Sequence, residues 1–228
     1  MNLGDYWQMW RARGLRLPLT HFLEAHAFDL RRGTDTATRL TREQYEVEGE
    51  TFDRSTFYGA AWTSVIGQWF DWVAERVGPE FSSRTFVDVG CGKGKPLIVW
   101  AEKAARAGAT MPICGIEYYA PLADIARTNV EHLGLSERIT VITADALDVE
   151  PEIFGQRPVL FFFNPFDAVA MRAFIEGVAQ LDPIVIYGNP VHGDVIEESG
   201  FTCVHETSGW HNGLFVRAYE RAVPATAA

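Results

Sequence analysis

The sequence predicts an α/β fold: a mostly parallel sheet that ends in an antiparallel C-terminal hairpin and is preceded by an N-terminal helical extension. Three observations lead there. Short apolar runs alternate with segments of helical period along most of the chain. One run, TFVDVGCGKGKPLIVW over Thr85–Trp100, breaks into glycines and then into an apolar helical segment, which reads as strand, tight turn, helix. The last two runs, Phe201–Thr207 and Leu214–Arg221, flank Ser-Gly-Trp-His-Asn-Gly, a turn suited to an antiparallel pair.

Taken in order, residues 3–13 carry Leu3, Tyr6, Trp7 and Trp10 at helical spacing, and Gly14 and Pro18 interrupt them. His21–Leu30 predicts a second short helix, and Arg-Arg-Gly-Thr-Asp-Thr a loop. Ser55–Gly59 is a polar and aromatic turn. From Tyr58 to Val77 the residues Trp62, Val65, Ile66, Trp69, Phe70, Val73 and Val77 form one helical stripe, ended by Gly78-Pro79. This helix is expected to cover an edge or face of the sheet. Phe86, Val87 and Val89 suit a buried parallel strand. Pro96 lacks an N–H and has φ preset for a first helical turn, so the next helix starts at about Lys95. Met111–Glu117 is a strand, Pro121–Leu133 a helix ended by Gly134, and Ile139–Ala144 a strand. The wholly apolar Val159–Phe163 belongs at the sheet centre. Asp167 caps a helix over Ala168–Leu181. Ile184–Tyr187 is a strand, and Val195–Glu198 a short helix before the hairpin.

Composition bounds the function. At 228 residues, 47% hydrophobic and 13% aromatic, the chain can bury a sizeable core. No apolar run approaches the ~20 residues of a membrane span. The first residues have neither a basic nor an apolar signal region, so a cytoplasmic protein without membrane partners is expected. Three scattered cysteines, Cys91, Cys114 and Cys203, lack metal-ligand spacing and suit reduced thiols, and no metal site is expected. A net charge of −10 argues against a nucleic-acid backbone as partner. The charge is uneven: residues 1–42 hold seven arginines against Asp5, Glu24, Asp29 and Asp35, net +3, leaving −13 elsewhere. Such an arm is expected to dock on the acidic body, or on a second subunit of a homodimer.

The glycine turn can be sorted by spacing. A dinucleotide fingerprint G-x-G-x-x-G would need a glycine where Lys95 stands, and a phosphate loop G-x-x-x-x-G-K-[ST] fails at Val89 and Pro96. What remains is acid-x-G-x-G-x-G, Asp88-Val-Gly90-Cys-Gly92-Lys-Gly94. This resembles the first motif of class I S-adenosylmethionine (SAM) methyltransferases. The resemblance extends over about residues 84–221 and implies a Rossmann-like, seven-stranded, mostly parallel sheet. The reading divides the chain into an N-terminal helical arm or lid, 1–57, and a SAM-binding domain, 58–228.

Ligands of such sheets bind beyond the carboxyl ends of the strands, so each strand exit is a candidate. The first delivers Asp88, Gly90, Gly92 and Gly94. The second ends in Glu117-Tyr118, and the resemblance places Glu117 where the family holds the ribose; a helix cap is its ordinary alternative. The third ends in Asp145-Ala146, with Asp145 matching the acid that accepts from the adenine amino group. The fourth, Asn164-Pro165-Phe166, resembles in part the Asn/Asp-Pro-Pro-aromatic motif of amino-group methyltransferases. There the amide oxygen orients the nucleophilic nitrogen and the ring stacks on the substrate. Asn-Pro is also an ordinary strand-ending turn. The fifth ends in Asn189-Pro190-Val191-His192. Asn189 could reach the substrate and His192 could act as a base, or the histidine is a plain turn residue. Tyr58 joins the cofactor candidates, and Tyr6 and Trp10 the substrate candidates, as aromatics of a covering arm. The alternative for these aromatics is a stripe that packs on the body.

The resemblance implies an enzyme that uses SAM, releases S-adenosylhomocysteine (SAH), and methylates a small metabolite at an amine nitrogen, with oxygen and carbon acceptors open. Two rival classes share the same motifs: another SAM-consuming enzyme, such as a cyclase or aminocarboxypropyl transferase, and a non-catalytic module that binds SAM or a partner protein.

Overall fold

The computed structural model describes residues 3–38, 61–208 and 215–222. Seven strands form one sheet in the order β3-β2-β1-β4-β5-β7-β6. They are β1 Phe86–Val89, β2 Ile113–Glu117, β3 Ile139–Thr143, β4 Val159–Phe162, β5 Ile184–Gly188, β6 Phe201–Ser208 and β7 Phe215–Arg221. The first five pair in parallel, and β7 runs antiparallel to both β5 and β6. The hairpin therefore folds back so that its second strand, not its first, extends the parallel sheet. Its turn, 209–214, lies outside the described residues.

Side-chain alternation builds a core on each face. Phe86, Phe161, Ile184 and Ile186 point to one side, and Val87, Leu160, Phe162, Val185 and Tyr187 to the other. We label the helices α1 Leu3–Arg13, α2 Arg16–His21, α3 Ala27–Arg32, α4 Thr63–Val77, α5 Lys95–Arg106, α6 Ala120–His132, α7 Ala168–Val178 and α8 Gly193–Glu198. Helices α4 and α5 cover the first face. Trp100 of α5 stacks on Phe86 with centroids 3.8 Å apart and meets Phe70 of α4 edge-on at 5.1 Å. Met171, Phe174, Ile175 and Val178 of α7 cover the second face, and α7 is capped by Asp167, whose Oδ1 accepts from Ala170 N–H at 2.8 Å.

The N-terminal segment differs from the expectation in one respect. Gly14, at φ +72°, does end α1, but Pro18 does not interrupt. It sits within the first turn of α2, where its missing N–H costs nothing, and the chain stays helical through a π-type turn, Phe22–His26, into α3. Residues 24–36 dock on the body. Phe28 is buried beneath the Arg32 guanidinium and the Lys95 ammonium. Arg32 donates twice to Glu102 of α5, at 2.7 and 2.6 Å. Glu24 caps α4 from a distance: its carboxylate accepts from Ser64 N–H at 3.0 Å, and its carbonyl accepts from Lys95 Nζ. The division drawn at 57/58 falls outside the described residues. Among the described residues no helix is long and apolar enough to cross a membrane.

Candidate functional site

The parallel strands deliver their candidate residues to one rim of the sheet, because β1 to β5 all point the same way. At the centre the chain leaves β1 through a turn that only glycines fit. Gly90 has φ +76°, and a Cβ there would stand 3.1 Å from Pro165 Cβ; Gly94 has φ +82° and would meet Ala126 Cβ at 3.2 Å. The first of these distances brings the exits of β1 and β4 together.

Asp88 sits beneath this turn, 2% exposed, and its Oδ2 has no hydrogen-bond partner. Burial, with the charge of Glu117 nearby, holds its carboxyl well above the usual carboxylate range. Glu117, equally buried, accepts from Gly92 N–H through Oε2 and from Tyr119 N–H through Oε1, both at 2.9 Å. Burial pushes its pKa up to about 6, against the opposing effect of these backbone donors. The predicted ribose ligand thus already ties the glycine turn to the end of β2. Tyr118 N–H also acts on this carboxylate, which with about four lone-pair sites keeps acceptor capacity for a further donor.

This titration has a measurable sign. A carboxyl raised from 4.5 to about 6 on folding contributes stability that is complete below 4.5 and is lost as pH rises through 6, about 2 kcal/mol in all. The stability difference between wild type and Glu117→Gln, from urea midpoints at pH 4.5 and 7.5, should shift toward the variant at the higher pH by most of that amount, about 1.6 kcal/mol, because the unfolded carboxyl is already half ionised at pH 4.5. A difference that does not move with pH contradicts this titration.

The other exits are ordered too. Asp145 Oδ1 accepts from Leu147 N–H at 3.0 Å, which shapes the loop after β3, and Ala146 is buried beside it. Tyr118 is half-buried next to Tyr119. Asn164 and Asn189 both occupy the left-handed region, at φ +51° and +52°, a conformation asparagine tolerates better than most residues. The Asn164 amide oxygen accepts from Tyr187 Oη–H at 2.8 Å, and the His192 backbone N–H points to the same Oη at 3.4 Å. Burial pushes the Tyr187 pKa up to about 12, so the phenol stays a donor. Tyr187 was not singled out in the sequence. Its only signal there is a tyrosine two residues before the second Asn-Pro. Phe166 leans on Phe174 of α7, centroids 5.5 Å apart, with its ring half-buried.

Of the arm candidates, Tyr6 Oη lies 3.3 Å from His21 Nδ1, and its ring contacts His21 and His26. His21 meets Trp62 edge-on, next to the Glu24 cap, so this cluster adjoins Lys95 at the start of α5. Trp10 is 52% exposed. Tyr58 lies outside the described residues. Among those described, no three metal-ligating side chains cluster.

No family model matches the chain, and no curated protein matches its sequence. Solved structures do match in fold, and the fold they share with this chain is that of the class I SAM-dependent methyltransferases. TrmN from Thermus thermophilus superposes with a TM-score of 0.54 at 18% identity, covering 72% of this chain and 50% of its own. The B. subtilis M1A22 tRNA methyltransferase TrmK gives 0.51 at 11%, covering 70% and 65%. The mitomycin 7-O-methyltransferase MmcR gives 0.54 at 17%, covering 95% and 68%. The chain thus spans half the length of TrmN and slightly less than two thirds of TrmK. Because tRNA and small-molecule enzymes both appear, the fold does not support the expectation that nucleic acid is excluded as a partner.

Proposed function

We propose that this chain is a SAM-dependent methyltransferase that acts on a small molecule, at an amine nitrogen. The observation that carries the reading is Asp88, a buried carboxylate with an orphaned oxygen beneath a three-glycine turn at the central strand exit. Such an atom is costly to bury unless a donor comes to it, and the ammonium group of SAM is a donor of the right charge. Glu117, with acceptor capacity left on its carboxylate, is proposed to accept from the ribose. Asp145 and Ala146, at the β3 exit, are proposed to face the adenine.

When bound, SAM supplies a methyl group already activated on a sulfonium. The chain has then to hold the acceptor in line and exclude water. Asn164 and Phe166 at the β4 exit are proposed to position that acceptor, with Asn189 beside them. Tyr187, by donating to Asn164 Oδ1, fixes how the amide is turned. His192, at the β5 exit, is proposed as the base that would take the proton an amine acceptor loses on methylation.

A small acceptor is favoured by the net charge of −10, which opposes a phosphate backbone. It is also favoured by the extent of the match to MmcR, since 95% of this chain cannot be covered without much of the N-terminal arm. The experiment is to incubate the protein with methyl-labelled SAM and either the small-molecule fraction of a cell extract or its tRNA. Label is expected in a small molecule, with SAH released. Label in tRNA contradicts the acceptor class, and SAM consumed without release of SAH contradicts methyl transfer.

A further inference from the structure

The glycine turn carries a lysine that no part of the proposed chemistry uses. Lys93, between Gly92 and Gly94, is only 1% exposed. A buried ammonium needs a partner, and this one reaches Asp35 Oδ2 at 2.7 Å, on the loop that follows α3. The backbone of the same turn is held from the same loop. Asn129 of α6, 5% exposed, donates through Nδ2 to the Lys93 carbonyl at 3.0 Å and to the Asp35 carbonyl at 3.1 Å. Its Oδ1 accepts from Asp35 N–H at 3.0 Å. One amide thus joins arm and turn, and both its N–H donation and its oxygen are used on backbone.

The loop presenting Asp35 is itself preformed. Asp29 accepts from Thr34 Oγ, Thr36 Oγ, Thr36 N–H and Ala37 N–H, all within 2.9 Å. Thr36 is wholly buried. Attachment of the arm does not need the Asp35 contacts, because Phe28 burial and the Arg32–Glu102 pair already supply it. What the Asp35 contacts add is a fixed position for Lys93, whose neighbour Gly92 donates to Glu117.

We infer that Asp35, Asn129 and Lys93 form a latch through which the N-terminal arm sets the glycine turn for the cofactor, so that Asp35 and Asn129 are positioning residues for SAM. The latch rests on the proposed SAM site for its ligand, but its effect on the turn can be read without one.

The test uses the full chain, with SAH as the calorimetric probe and hydrogen exchange at the Gly92 and Gly94 amides. Asp35→Asn is expected to weaken SAH binding about tenfold, the order of one charge-assisted contact, and to quicken exchange at both amides. Asp35→Glu should restore part of each effect. Because Asp35→Asn leaves a buried ammonium unpaired, the double variant Asp35→Asn with Lys93→Met removes that charge and should still bind SAH weakly. Glu102→Gln, which loosens the arm away from the turn, should lower Tm with SAH affinity and turn exchange unchanged. Unchanged exchange in Asp35→Asn, or equal loss of affinity in Glu102→Gln, overturns the latch. If the wild type does not bind SAH, the SAM reading fails, and the exchange rates alone still decide whether the arm sets the turn.

Discussion

Asp88→Asn is expected to weaken SAH binding by ten- to a hundredfold and, at neutral pH, to raise the melting temperature. The two effects have one cause. In the empty protein Asp88 is a buried carboxyl whose Oδ2 meets no donor, next to a second buried acid, so its charged form is strongly disfavoured. A neutral isostere relieves that cost at a pH where the unfolded chain would carry the charge. In the proposed complex the same carboxylate would pair with the ligand's ammonium, a charge-assisted contact worth about 1.5–3 kcal/mol, which the amide would largely forfeit. Sites that bind charge often cost stability, so opposite signs in the two measurements are the signature of a ligand-binding role. A fall in Tm with affinity unchanged would make Asp88 a structural residue. Calorimetry with SAH and a thermal scan on the same preparation decide between them.

The largest effect on stability is expected at Trp100→Ala, about 3–5 kcal/mol. Trp100 is fully buried between Phe86 of the central strand and Phe70 of α4, and its indole N–H points at Met111 Sδ, 3.2 Å away. Truncation therefore loses the transfer energy of the ring and leaves a cavity beneath both helices of that face. Trp10→Ala is the contrast: at 52% exposure it should stay within about 0.5 kcal/mol. Urea midpoints of the two variants should separate clearly. Equal costs would mean that α1 is packed into the core and not laid on its surface.

The strand–turn–helix over Phe86–Arg106 was legible because each of its signals is local. The apolar run, the glycines and Pro96 place the start of α5 at Lys95, where it lies. The Asp167 cap was legible for the same reason. Pro18 misled because its cost depends on its position in the helix, which the residue type does not reveal. The order of β6 and β7 was not legible either, since a hairpin can present either strand to its neighbour.

At the site, sequence order brought the residue types to the strand exits, but their partners lie far away along the chain. Glu117 accepts from Gly92, 25 residues earlier, and Asn129 bonds to Asp35, 94 residues earlier. Neither follows from local pattern. Asn164 was read as facing a substrate. Its amide oxygen proves to be engaged by Tyr187 from the next strand, a contact set by sheet register and not by any motif.

The central claim is that the glycine turn, Asp88 and Glu117 bind SAM. Isothermal titration calorimetry with SAM, SAH, NAD and ATP tests it most directly. The account predicts one site that takes SAM and SAH in competition, weakened by Asp88→Asn, with no heat from NAD or ATP. Binding of NAD in the absence of any binding of SAM would contradict it.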